Sequence, residues 1–201
     1  MSIAINIDVT DTVTPALAEL SRRLQNRTGL HEYIAAKEEN VFRTYLRGQA
    51  SFRHRTAQSL GATPTGELER ASQSPEGTAT AEGAMISLRP GHLFARAFRE
   101  VVIKPGPGKK YLPIAVNAEA YGKRPLEFGE SLRFMLVGPK KTPILSQEGS
   151  GDTRETMYVL VKSVRQKQDR TLLPSDEMVT KEAEEAAKDY LLDVFAEGGV
   201  S

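Results

Sequence analysis

The histidine nearest a known catalytic pattern lies in His31-Glu32-Tyr33-Ile34-Ala35. It opens like the helical metalloprotease signature, in which two histidines one turn apart hold zinc and the glutamate activates water. Ala35 stands where the second ligand is required. His54 and His92 are distant in sequence and read as surface or hydrogen-bonding residues. The run Gly106-Pro107-Gly108-Lys109-Lys110 has the look of a phosphate loop but lacks its glycine-to-lysine spacing. Lys110 also occupies the place of the metal-binding hydroxyl, and Pro107 removes a backbone donor. Ser175-Asp176-Glu177 has no nucleophile elbow around it and reads as a helix cap. The adjacent Glu184 and Glu185 fall in an acidic helix, where a solvated face is the simpler reading. With no cysteine in the chain, thiolate nucleophiles, thiolate metal sites and disulfides are excluded. The expectation is a protein that is not an enzyme, with no metal and no cofactor.

Charge is distributed more tellingly than the formal net value of +1 implies. Residues 22–55 carry eight Lys/Arg against three Glu, and residues 89–141 carry eleven against four. Residues 172–201 reverse the sign, with two Lys against eight Asp/Glu. Arg43, Arg47, Arg53, His54 and Arg55, interleaved with Tyr45 and Phe52, form the densest basic and aromatic patch. Nucleic-acid binding through segments 43–55 and 104–124 is one reading of it, although no recognised DNA- or RNA-binding signature accompanies the charges. Pairing of subunits through opposite charges explains the same residues more economically. It sets Glu182, Glu184, Glu185 and Asp189 against a basic surface drawn from Arg43, Arg47, Lys109, Lys110, Lys123 and Arg124.

The elements that must position these residues follow from periodicity. With 201 residues, one domain over 1–201 is expected. No apolar run reaches the ~18 residues of a membrane helix, and the first residues lack the basic region of a signal peptide. Ile3, Ile5, Ile7 and Val9 alternate with smaller or polar residues as in a strand. Thr14-Pro15 caps a helix with Leu17, Leu20 and Leu24 on one stripe, and a longer helix spans about 30–50. Residues 61–83, rich in Gly, Pro, Ser and Thr, predict a long loop or arm, as do residues 138–156. Strands are predicted over 84–88, 98–103, 111–116, 132–137 and 157–164, the second and third joined as a hairpin by Lys104–Lys110. Ser175 then caps a helix whose face carries Val179, Ala183, Ala186, Tyr190, Leu191 and Val194. The fold class is α+β: N-terminal helices and a C-terminal helix packed on a mainly antiparallel sheet, with long arms.

This order of elements carries a resemblance. The helices with Leu17, Leu20, Leu24 and Ile34 are one part of it. The run His54-Arg55-Thr56-Ala57 and the loop Leu60-Gly61-Ala62-Thr63-Pro64-Thr65-Gly66 are a second. The closing Leu172-Leu173-Pro174-Ser175-Asp176-Glu177 before the acidic helix is the third. Together they resemble the virion morphogenesis proteins of tailed phages. That family comprises tail-completion and head–tail joining proteins similar to those of Mu-like phages and the lambda-type minor tail protein Z group. The chain departs from it at Thr171-Leu172-Leu173-Pro174, where members often carry an aromatic-Pro-Phe-Leu-Gly step, and at 138–156. The resemblance implies a structural component of the tail or neck, present in the host cytoplasm during assembly. It also implies a homo-oligomeric ring, neighbouring neck, tail or connector proteins as partners, no membrane, and a channel in which non-specific contact with genomic DNA is possible.

Overall fold

A computed structural model describes residues 13–53, 55–89, 91–148 and 153–197. It is an α+β protein whose contacts group into two compact units. Unit 1 holds residues 1–43, 74–88 and 174–201, and unit 2 holds residues 44–73 and 89–173. The single domain expected over 1–201 is thus divided, because the chain leaves the first unit after residue 43 and re-enters it twice.

Unit 1 is built on helices. Helix α1 (Val13–Gln25) is followed at once by α2 (Thr28–Ala50), whose residues up to 43 belong to this unit. Thr14 and Pro15 lie within helix α1 and not at its cap. A short antiparallel hairpin, β1 (Glu76–Ala79) with β2 (Ala84–Ser87), lies against α2. Contact is so close at Gly77 that a Cβ there would stand 2.7 Å from the carbonyl oxygen of Ala35, so only glycine fits. The Gly77 N–H donates to Glu39 Oε2 at 2.7 Å and fixes the hairpin further. Helix α6 (Asp176–Glu197) packs on α1. As its periodicity requires, Ala186 and Val194 are buried while Val179, Ala183, Tyr190 and Leu191 are half-buried. Ser175 caps it, its hydroxyl accepting from the Met178 N–H at 3.3 Å.

Unit 2 begins with the last turns of α2 and continues through two short helices, α3 (Arg55–Leu60) and α4 (Glu67–Ala71). After α5 (His92–Phe98) come β3 (Val101–Ile103) and β4 (Leu112–Ala115), then a 3-10 segment at Pro125–Ser131. Strands β5 (Leu132–Val137), β6 (Thr142–Glu148), β7 (Arg154–Val161) and β8 (Val164–Gln166) follow, with a 3-10 turn at Arg170–Leu172. One sheet has the order β4-β7-β6-β5 and is antiparallel throughout, and β3 pairs with β8 in a second, two-stranded sheet. Its core is centred on Tyr158, 1% exposed, with Met157 and Ala120. The Tyr158 hydroxyl donates to the carbonyls of Ala120 and Lys123, and its ring meets Phe128 edge-on at 6.0 Å.

Several sequence expectations are corrected here. The Lys104–Lys110 segment does not close a hairpin, since β3 and β4 pair with β8 and β7 respectively. Pro105 and Pro107 remove N–H groups that a ladder beside the turn would need. Residues 61–83 are not a continuous arm, for they form α4 and β1. Residues 138–156 likewise hold a tight turn and an internal strand: Gly138 at φ 73° and Lys141 at φ 48° close it, and β6 pairs on both sides. Pro143 near the start of β6 masks that strand in the sequence. The strand expected over 98–103 is only Val101–Ile103 because Phe98 ends α5, and the one expected over 157–164 is split into β7 and β8. The alternating residues 3–9 and His54 lie outside the described residues.

Candidate functional site

The acidic charges gather on α6 in unit 1. Glu184 and Glu185 are exposed; Glu185 meets only Lys181 of its own helix at 3.8 Å, and Glu184 has no ion pair among the described residues. Asp189 stands 3.6 Å from Lys37 of α2, so part of its charge is answered within the unit. Glu182 is half-buried and faces Glu38 of α2, which is 4% exposed with neither carboxylate oxygen hydrogen-bonded. Burial, and then the Glu182 charge, push the Glu38 carboxyl above the usual carboxylate range.

The basic residues proposed to oppose that helix fall into two groups. Arg43 is bound inside unit 1, 2.8 Å from Glu39 and donating to the Pro75 carbonyl. Arg47, in unit 2, pairs with Glu69 at 3.5 Å. Lys109 and Lys110, with Lys104, occupy the exposed β3–β4 loop and have no ion pair among the described residues. Lys123 lies over the Phe128 ring at 5.3 Å. Arg124 caps the 3-10 segment, its backbone N–H donating to Glu127 Oε1 at 2.8 Å, which leaves its guanidinium exposed. Among the described residues, exposed cations of unit 2 without an ion pair include Lys104, Lys109, Lys110, Lys123 and Arg124, and equally Arg133, Lys140, Lys141 and Lys162 elsewhere in the unit.

Two further features of unit 2 have weaker sequence signals. Strand β5 is an edge of the four-stranded sheet and exposes Phe134 and Leu136 at 56% and 55%. The opposite edge, β4, has Pro113 in its middle, a residue that blocks pairing; β5 has none. The second feature is a cleft of about 610 Å³, lined by residues that include Phe52, Arg53, Arg55, Glu67, Arg96 and Asp169. Asp169 starts the 170–172 turn in the manner of an Asx turn, accepting from the Thr171 N–H at 3.2 Å and its hydroxyl at 2.7 Å. Its other oxygen takes Arg53 at 2.7 Å and Arg96 at 3.5 Å. The Thr171 hydroxyl and then the Arg53 guanidinium hold the Asp169 carboxyl below its usual range. Arg53 also donates to Gln49 and Thr171. The basic patch legible in the sequence is thus mostly neutralised, with Arg55 the exception among its described arginines.

Among the described residues, no group of three or more His, Asp or Glu converges to hold a metal ion, and no helix is long and apolar enough to cross a membrane. His31 Nδ1 lies 2.7 Å from the Thr80 carbonyl, a contact that ties α2 to the end of the hairpin. No family model, curated protein or solved structure matches the chain.

Proposed function

We propose that this chain is a structural subunit of a tailed-bacteriophage virion, acting in tail completion or head–tail joining. It self-associates as a ring through charged surfaces and does not act as an enzyme. One observation carries the assembly part of this reading. Unit 1 presents acids on α6 that its own lysines answer only in part, and unit 2 presents lysines on the β3–β4 loop that no carboxylate among the described residues answers. Opposite surfaces on one chain are the requirement for a head-to-tail contact, which repeats until it closes. Exposed pairs contribute only ~0.2–1 kcal/mol each, so they set register and association rate. Exposed apolar side chains such as Phe134, Leu136 and Leu126, the last 86% exposed, are the natural source of affinity. The virion setting rests on the resemblance of the N-terminal helices, the 54–66 segment and the 172–177 step.

Sedimentation velocity and negative-stain electron microscopy of the purified chain test the reading. Closed rings, or a concentration-dependent ladder of oligomers that loosens gradually with salt, are expected. A monomer at every concentration and ionic strength contradicts it.

A further inference from the structure

The cleft of unit 2 is lined by three arginines of which one has no hydrogen-bond or ion-pair partner among the described residues, and that surplus of positive charge defines what it takes. Asp169 is already committed at both oxygens, to Arg53 and Arg96 on one and to Thr171 on the other. Arg53 is committed at all three nitrogens, to Gln49, Asp169 and Thr171. What remains is donor-rich. The whole guanidinium of Arg55 has no hydrogen bond or ion pair among the described residues, and Arg96 engages Lys167 and Asp169 through Nε and Nη2 only. Thr56, Thr65 and Tyr121 also line the cleft and carry hydroxyls. The lining also holds Glu67, a carboxylate with no hydrogen bond or ion pair among the described residues, which leaves three arginines against two acids. Phe52, 60% exposed, supplies an apolar wall.

We infer that this cleft binds a phosphate group, with Arg55 as its principal ligand, Arg96 beside it, and Arg53 and Asp169 as the frame that positions Arg96. A tetrahedral phosphate offers acceptor oxygens in several directions and accepts a guanidinium fork on one edge. A carboxylate offers one plane, which fits dispersed donors from α3, α5 and the 65 and 121 loops less well. At about 610 Å³ the cleft has room for more than the ion itself. The phosphate can therefore be free or part of a nucleotide or single strand whose base or sugar packs on Phe52. The inference is independent of the assembly reading, since no other subunit enters it.

Isothermal titration calorimetry on the full chain at constant ionic strength decides it, with inorganic phosphate, a mononucleotide and a single-stranded oligodeoxynucleotide as separate titrants. A peptide of residues 176–197 serves as the carboxylate control. Saturable binding in at least one phosphate arm is expected, and the arm that binds most tightly identifies the source. Arg55→Ala should weaken it by about 10-fold or more through loss of a charge-assisted fork, and Glu67→Gln should tighten it about 3-fold by removing a like charge. Arg133→Ala, outside the cleft, should leave it unchanged. Unaltered circular dichroism shows that Arg55→Ala, at an exposed and partnerless side chain, leaves the fold intact. Three outcomes overturn the inference: no saturable phosphate binding, equal losses in Arg55→Ala and Arg133→Ala, or binding of the acidic peptide alone.

Discussion

Unit 1 and unit 2 each hold a carboxylate drawn in from solvent, Glu38 and Asp169, and they treat it in opposite ways. In unit 1, Glu38 is buried with both oxygens unbonded and an acid, Glu182, as its charged neighbour, so its carboxyl is pushed up. In unit 2, Asp169 is wrapped by Thr171, Arg53 and Arg96, and its carboxyl is held down. The difference teaches that burial alone says nothing about whether a charge stabilises; what matters is whether donors arrive with it. Unit 2 supplies donors in excess, and the excess becomes a cleft. Unit 1 supplies none for Glu38 among the described residues, and it turns Glu184 and Glu185 of α6 outward.

The largest effect that would sharpen this contrast is in the core of unit 2. Tyr158→Ala removes the ring against Phe128 and the hydroxyl that meets the carbonyls of Ala120 and Lys123, so a loss of ~3–5 kcal/mol is expected. Hydrogen exchange read peptide by peptide should place the loss in the 112–161 sheet and leave α6 unchanged. A comparable loss in α6 would mean the two units melt as one.

Next is Asp169→Asn, which leaves Arg53 and Arg96 without their counter-charge and should cost about 1.5–3 kcal/mol near pH 7. Because the folded value lies below the unfolded one of about 3.9, the Asp169 contribution is present above that value. It is lost as pH falls through the folded value. The wild-type unit 2 should therefore weaken below about pH 4 more steeply than the variant, and parallel acid profiles would break the comparison.

Glu38→Gln should have the opposite sign and a smaller size, raising the stability of unit 1 by about 1 kcal/mol at pH 7, since an unpaired amide costs less to bury than an unpaired carboxylate. Here the folded value lies above the unfolded one of about 4.3, so the favourable contribution is full below that value and disappears as pH rises through the folded value. The advantage of the variant should shrink as pH drops from 7 towards 4.5. A thermal melt in which Glu38→Gln is less stable than wild type at pH 7 would mean that Glu38 has a partner in solution.

Unit 1 was the more legible of the two from sequence. The α6 face from Val179 to Val194, the Ser175 cap and the length of α2 are local, period-3.6 signals, and each is found where the spacing puts it. The β1 strand was hidden by Gly77, whose role is a close approach to Ala35 that no local pattern records. In unit 2 the strands were mostly visible, but their partners were not, because β3 to β8 and β4 to β7 are long-range pairings that no local pattern records. The arginine patch was visible as a composition, whereas its division into bound Arg53 and partnerless Arg55 depends on Asp169, more than a hundred residues away. The exposed acids of α6 and the lysines of 104–110 needed only the sequence.

The smallest expected change in stability accompanies the most direct test of the assembly account. Glu184→Lys with Glu185→Lys reverses the outward charge of α6 at two exposed positions, so the circular-dichroism melt should move by no more than ~0.5 kcal/mol. Sedimentation velocity of this double variant, beside wild type at low and high salt, is the decisive measurement. The account predicts weaker self-association for the variant at low salt and a difference that narrows as salt rises. Identical sedimentation of the two proteins at both ionic strengths would contradict it and reduce the acidic face to a solvated surface.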